Sequence, residues 1–214
     1  MLRVRQMVAF AFLAVTVLSL GSQSAALARA PDELAVPDPA AVSLDASTTA
    51  FLAIDFLQSN CAPNPICMAM LPAVANGLSA ARAANAHVVY AVHLAPDNII
   101  LADVAPMPNE PIFAAVPGDK FFDSNLDYIL RQAGTTTLVL SGVSSNSGVM
   151  YTAAAAIQRG YTVVVAQDSI AAGTELATSV ALWQLLHGPG ANPQNNPLQA
   201  KAVTLSQSNL ITYR

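Results

Sequence analysis

Three proton-active side chains in this 214-residue chain stand where short apolar runs stop. Thr49–Asp55 (Thr-Ala-Phe-Leu-Ala-Ile-Asp) ends in Asp55, His87–His93 ends in His93, and Tyr161–Ala166 stops just before Asp168. A carboxyl group at a strand end, partly withdrawn from water, is suited to general acid–base work on a bound molecule. The plainer reading of Asp55 is a loop anchor that accepts backbone amide hydrogen bonds. His93 is read as a substrate contact, its plainer alternative being a strand-end histidine packed against the next loop. It has Pro96 and Asp97 nearby but no companion histidine, so the spacing offers no metal site.

A fourth feature is the small-residue turn Gly142–Gly148 (Gly-Val-Ser-Ser-Asn-Ser-Gly), which follows the apolar run Thr136–Ser141. It lacks the Gly-Lys-Ser/Thr ending of a phosphate-binding loop, and the chain has no Gly-x-Ser-x-Gly elbow for a serine nucleophile. Ser144, Ser145, Asn146 and Ser147 are therefore expected to line a pocket floor and bind substrate oxygens. The two cysteines, Cys61 and Cys67, are six positions apart and read as a disulfide closing a short loop. Loop entropy gives such a ring about 2 kcal/mol. Two free thiols are the alternative, and no second Cys pair or nearby histidine completes a ligand set for a metal.

The elements that position these groups alternate. The strand runs are Thr49–Asp55, His87–His93, Ile112–Val116, Thr136–Ser141, Tyr161–Ala166 and Lys201–Leu205. Helices are expected over Leu71–Ala86 with Pro72 in the first turn, Asn125–Ala133, Gly148–Arg159 with Gly160 as its stop, and Glu175–His187. Residues 96–111, with four prolines, read as an irregular excursion. Continuous apolar strands alternating with helices imply a parallel sheet covered on both faces, with ligands bound beyond the carboxyl ends of the strands. That places Asp55, His93, the 142–148 turn and Asp168 at one end, and His87 at the other.

Residues 1–30 read as a signal peptide. Arg3 and Arg5 precede the uncharged stretch Met7–Leu20, and small-residue cleavage sites end at Ala28 and Ala30. An apolar core of about 14 residues falls short of the roughly 20 that span a membrane; a retained N-terminal anchor is the other reading. The expected organisation is signal peptide 1–30, extended Pro-rich arm 31–46 and one domain over 47–214, with export to the periplasm or the medium and no stable membrane anchor after cleavage. Removing residues 1–30 takes Arg3, Arg5 and Arg29 and no acid, leaving six cations against thirteen carboxylates. A net charge of about −7, with few charges in total, excludes nucleic acid as a natural partner. The low charge also permits association of copies, and 54% hydrophobic residues exclude disorder for most of the domain.

Taken together, Thr49–Asp55, the run Leu138-Val139-Leu140-Ser141-Gly142-Val143-Ser144-Ser145-Asn146-Ser147-Gly148-Val149-Met150-Tyr151-Thr152-Ala153, and Gly160-Tyr161-Thr162-Val163-Val164-Val165 with Asp168 resemble the isochorismatase-like (cysteine hydrolase) superfamily. The resemblance covers most of residues 48–175. It implies a three-layer α/β sandwich around a mainly parallel six-stranded sheet. It also implies an Asp after the first strand, here Asp55, a Lys after the third, and a nucleophilic Cys opening the helix after the fourth.

Two departures shape the functional expectation. The position matching the Cys is Gly148, which has no side chain, and neither Cys61 nor Cys67 lies there. Isochorismatases proper resemble this pattern with Gly at that place and work without a covalent intermediate. The lysine position is ambiguous: Lys120 lies between the third strand and the next helix, whereas ungapped matching of the Phe121–Leu126 helix entry puts Ala115 in the slot. If Lys120 is not the site lysine, it reads as a solvated surface residue pairing with Asp119 or Asp123. The resemblance thus implies a hydrolase acting on a small molecule without a Cys nucleophile and without a cofactor. Asp55, Lys120 and Gly148 are its catalytic candidates. The rival is a catalytically degenerate small-molecule-binding protein of the same fold.

Overall fold

The computed structural model describes residues 34–93 and 99–214; the expected signal peptide and residues 94–98 lie outside the described part. In chain order the strands are β1 (Val42–Leu44), β2 (Thr49–Ile54), β3 (His87–His93), β4 (Ile112–Ala115), β5 (Thr137–Val143), β6 (Thr162–Ala171), β7 (Val203–Ser206) and β8 (Ile211–Tyr213). The helices are α1 (Gln58–Cys61), α2 (Pro65–Ala83), α3 (Leu126–Gln132), α4 (Met150–Gln158) and α5 (Glu175–His187).

Six strands form one parallel sheet in the order β4-β3-β2-β5-β6-β7. Successive side chains on a strand point to opposite faces, so each strand serves two cores. Leu52 and Ile54 of β2 and Leu138 and Leu140 of β5 pack beneath α3, α4 and α5. Phe51, Ala53 and Val139 pack on the other side against α2. The sheet is thus buried on both faces, as the uninterrupted apolar runs require.

Helix α2 starts six residues before the expected Leu71. Asn64 caps it, its side-chain oxygen accepting from the N–H groups of Ile66 (3.1 Å) and Cys67 (3.3 Å), and Pro65 occupies the first turn. Pro72 lies inside the helix instead of opening it. A proline there cannot donate to the carbonyl one turn back, but Pro72 and Met68 are on the solvent side, where water can take that carbonyl. The small-residue turn after β5 also differs: Ser145–Val149 forms a wide π-type turn, and regular helix starts at Met150. Strand β6 runs past the expected Ala166 to Ala171, with a register break against Leu140 and Gly142.

The Pro-rich arm is not merely extended. Its β1 pairs in parallel with β8, Val42 opposite Ile211 and Leu44 opposite Tyr213, forming a small second sheet that covers the α2 face. The excursion after β3 is tied down by Arg82 of α2, whose Nε and Nη2 donate to the two Glu110 carboxylate oxygens at 2.7 Å each. Arg82 also reaches Tyr90 Oη and the Ala105 carbonyl, and Tyr90 Oη donates to the Val104 carbonyl.

Candidate active site

The carboxyl end of the sheet is built around the point where β2 stops. Asp55 leaves the strand with φ of 52°. Asp is among the few residues that enter this left-handed region at low cost, and the turn aims its carboxyl group back into the protein, where it is 5% exposed. The main chain is pinned on either side: Asp55 N donates to Ala91 O at 2.9 Å, and Leu57 N donates to Asp55 O at 2.7 Å. Gly142 lies opposite Ile54 on β5, with φ of 151°; a Cβ there would sit 2.3 Å from the Ile54 carbonyl oxygen, so only glycine lets the two strands close beside Asp55.

Both Asp55 oxygens have partners. Oδ1 accepts from the backbone N–H of His93 at 2.7 Å, with His93 Nδ1 3.4 Å away. Oδ2 meets Lys120 Nζ at 2.7 Å. The anchoring reading therefore describes one oxygen of Asp55, and the other faces a cation. Lys120 is fully buried, which overturns its reading as a solvated lysine paired with Asp119 or Asp123. Its ammonium also donates to Val116 O at 3.3 Å, and its own N–H donates to Thr152 Oγ1 of α4 at 3.0 Å. Two buried charges are tolerated only when each is paired and hydrogen-bonded, and these are. Ala115, the other candidate for the lysine slot, is buried in β4 beside His93.

Above the pair is a cavity of about 280 Å³ lined by Asp55, His93, Ser144, Ser147 and Gly148, with Asn60 and Asn64 from the disulfide loop on one side. Gly148 is the closest approach of the α4 tip. A Cβ at 148 would stand 3.6 Å from Asp55 Oδ2, 3.2 Å from Val143 O and 3.3 Å from Ile54 Cγ2. Position 148 thus borders the carboxylate directly and carries no side chain.

Two of the expected substrate contacts fall elsewhere. Ser145 is fully buried and its hydroxyl faces Thr178 Oγ1 of α5 at 3.4 Å, while Asn146 points to solvent and accepts from the Ser144 hydroxyl. In a helical turn residues three apart share a face, so Ser144 and Ser147 meet the cavity and the two residues between them do not. Asp168 also leaves the site: with β6 extended, its carboxylate instead holds Ser208 through the backbone N–H (2.9 Å) and hydroxyl (2.7 Å).

Sequence reasoning missed Asn60 and Asn64. Asn60 Nδ2 donates to the Asp55 carbonyl at 3.1 Å, and Asn64 Nδ2 donates to Ala172 O at 3.0 Å. The pair Asn64-Pro65 was the available signal, being an N-cap followed by a first-turn proline. Cys61, next to Asn60, and Cys67, beyond Asn64, form a disulfide with Cα atoms 5.1 Å apart. Among the described residues no three His, Cys, Asp or Glu side chains gather to hold a metal ion.

The fold is that of an α/β protein with a six-stranded parallel sheet and its candidate site at the carboxyl ends of the strands. The architecture is similar to that of a cysteine hydrolase from Pseudomonas syringae pv. phaseolicola, with TM-score 0.69 and 17% identity over 81% of this chain and 93% of that one. It is also similar to N-carbamoylsarcosine amidase from Thermoplasma acidophilum, with TM-score 0.63 and 19% identity over 76% and 97%. A secreted isochorismatase effector of Verticillium dahliae is 31% identical over 110 residues, which span 46% of this chain and 58% of that protein. The isochorismatase domain model matches residues 49–194, and the chain belongs to the isochorismatase family of hydrolases.

Proposed function

We propose that this protein is an exported hydrolase that cleaves a small molecule by direct attack of water, with Asp55 as the general acid–base and no covalent enzyme intermediate. The observation that carries this reading is the buried Asp55–Lys120 pair, 2.7 Å apart, at the base of a cavity whose neighbouring helix tip is a glycine. In this scheme the Asp55 carboxylate takes a proton from water as its oxygen attacks the substrate, and returns it to the leaving oxygen or nitrogen. Lys120 holds the carboxylate in place, and the Gly148 N–H supports charge that develops on the substrate. Support for export comes from the secreted relative and from the disulfide, since such bonds persist in oxidising compartments.

The test is turnover of a panel of small amides and enol ethers by the wild-type protein and by Asp55→Asn. At least one compound is expected to be hydrolysed, with kcat falling roughly 100-fold or more in the variant. Unchanged turnover in Asp55→Asn removes the acid–base role. The empty volume at 148 supports a second reading, a binding protein that has lost its chemistry; ligand-induced thermal stabilisation without turnover is its signature. Gly148→Cys extends the test, because thiol-dependent amidase activity in that variant requires the surrounding groups to be in working positions.

A further inference from the structure

We infer that the site takes an uncharged polar small molecule and discriminates against a dicarboxylate; this rests on the hydrolase reading of the same cavity. The ground is where the cations are. Beyond residue 30 the sequence holds six: Arg82, Lys120, Arg131, Arg159, Lys201 and Arg214. Five of them stand at the amino ends of the strands, away from the cavity. Arg82 lies near the end of α2, before β3 begins; Arg131 ends α3, before β5; Arg159 follows α4, before β6; and Lys201 precedes β7. Arg214 closes β8 beside Ala46, just before β2. A six-residue strand spans about 20 Å, which is the order of their separation from Asp55.

That leaves Lys120 as the cation of the site, and it is fully buried with its charge directed at Asp55 Oδ2. The cavity lining otherwise consists of amides, hydroxyls, glycine and small apolar side chains, with His93 as the one imidazole. The α4 tip offers a partial positive charge of about one-half, enough to meet a carbonyl oxygen and too little to neutralise two carboxylates. A dianion entering this cavity would leave water without an ion-pair partner, beside a carboxylate. A neutral amide, carbamoyl compound or hydroxylated ether would instead meet Ser144, Ser147, Asn60 and backbone N–H groups as ordinary hydrogen-bond partners. The volume of about 280 Å³ sits at the lower edge of small-molecule sites.

The experiment compares an enolpyruvyl ether bearing two free carboxylates with its uncharged dimethyl ester, using the full domain and Asp55→Asn. At about 0.01 M salt, where screening reaches about 30 Å, kcat/KM for the ester is expected to exceed that for the dianion at least tenfold. The gap narrows as salt is raised, because screening weakens the repulsion. A dianion preference, or dianion turnover that falls with salt, overturns the inference while Asp55-dependent turnover leaves the hydrolase reading intact. If neither compound is turned over, calorimetric binding decides: tighter binding of the ester upholds the inference, with the hydrolase reading decided by the amide and enol-ether panel, and tighter binding of the dianion or no binding overturns it. Ser147→Lys at the cavity wall is expected to improve dianion binding roughly fivefold, the scale of one close charge pair in water. An unchanged ratio means the site does not read charge, and overturns the inference.

Discussion

Each end of the sheet holds a carboxylate paired with a cation, and the two pairs differ in what surrounds them. At the amino end Glu110 is clasped by Arg82 and also accepts from Met107 N at 2.8 Å, while Arg82 spends its remaining reach on Tyr90 and a carbonyl. Each partner there belongs to the protein, and the effect is to fasten the excursion between β3 and β4. At the carboxyl end Asp55 and Lys120 are just as close, yet the pair borders a cavity and a side-chain-free helix tip. Size does not distinguish the two ends, since a depression of about 450 Å³ adjoins Arg82 and Glu110. What separates them is the neighbourhood of the acid: Glu110 is taken up by Arg82 and Met107 N, whereas Asp55 lies against a hydroxyl-lined cavity and a glycine.

Breaking each pair separately is the sharpest way to test this contrast. Lys120→Met leaves Asp55 buried without its cation, and is expected to cost about 3–5 kcal/mol in urea unfolding together with loss of turnover. Arg82→Met is expected to cost about 2 kcal/mol, the scale of hydrogen bonds to a charged group, with kcat and KM unchanged. If Arg82→Met impairs turnover as much as Lys120→Met, the two ends are not functionally distinct.

The disulfide belongs to the carboxyl end, because it closes the loop that carries Asn64 and starts next to Asn60. The double variant Cys61→Ser, Cys67→Ser is expected to lose about 2 kcal/mol in the same assay, and reductant is expected to lower the wild-type midpoint by a matching amount. A rise in KM with little change in kcat would place the loop in substrate binding.

The smallest effect concerns pH at the amino end. Burial pushes the Tyr90 hydroxyl up to about 12, and burial likewise raises Tyr161 to about 12. The neutral form of each is favoured in the fold, so their contribution is complete below the unfolded value of about 10 and is lost as pH rises from there through about 12. Stability is therefore expected to stay flat from pH 7 to 9 and to fall above pH 10. Tyr90→Phe should flatten that fall while costing about 1 kcal/mol at neutral pH through the lost hydrogen bonds.

The sequence was most legible where a local signal was strong. Helix α5 runs from Glu175 to His187 as expected, because Thr174 caps it and Gly188 follows it. The order of strands and helices and the parallel sheet followed from apolar runs too short for helices. Two helix-start signals compete before α2, Asn64-Pro65 and Pro72, and the capped one at Asn64 sets the true start. Of the 144–147 contacts only Ser144 and Ser147 meet the cavity, because four consecutive residues of a helical turn cannot share one face, and Ser/Asn composition does not say which will. Lys120 and Ala115 were inseparable because spacing along a loop does not fix where its residues arrive in space. Strands β1 and β8, three residues each, carry too little periodicity to be seen, and their pairing spans nearly the whole domain.

That last pairing has a consequence for how the protein is made. Val42 at the front of the domain finds its partner only at Ile211, and Arg214 N completes the ladder by donating to Leu44 O. During synthesis β1 leaves the ribosome long before β8 does. The clasp between front and back can engage only once Ile211–Tyr213 have been synthesised, so the small sheet is the last part of the described fold to close.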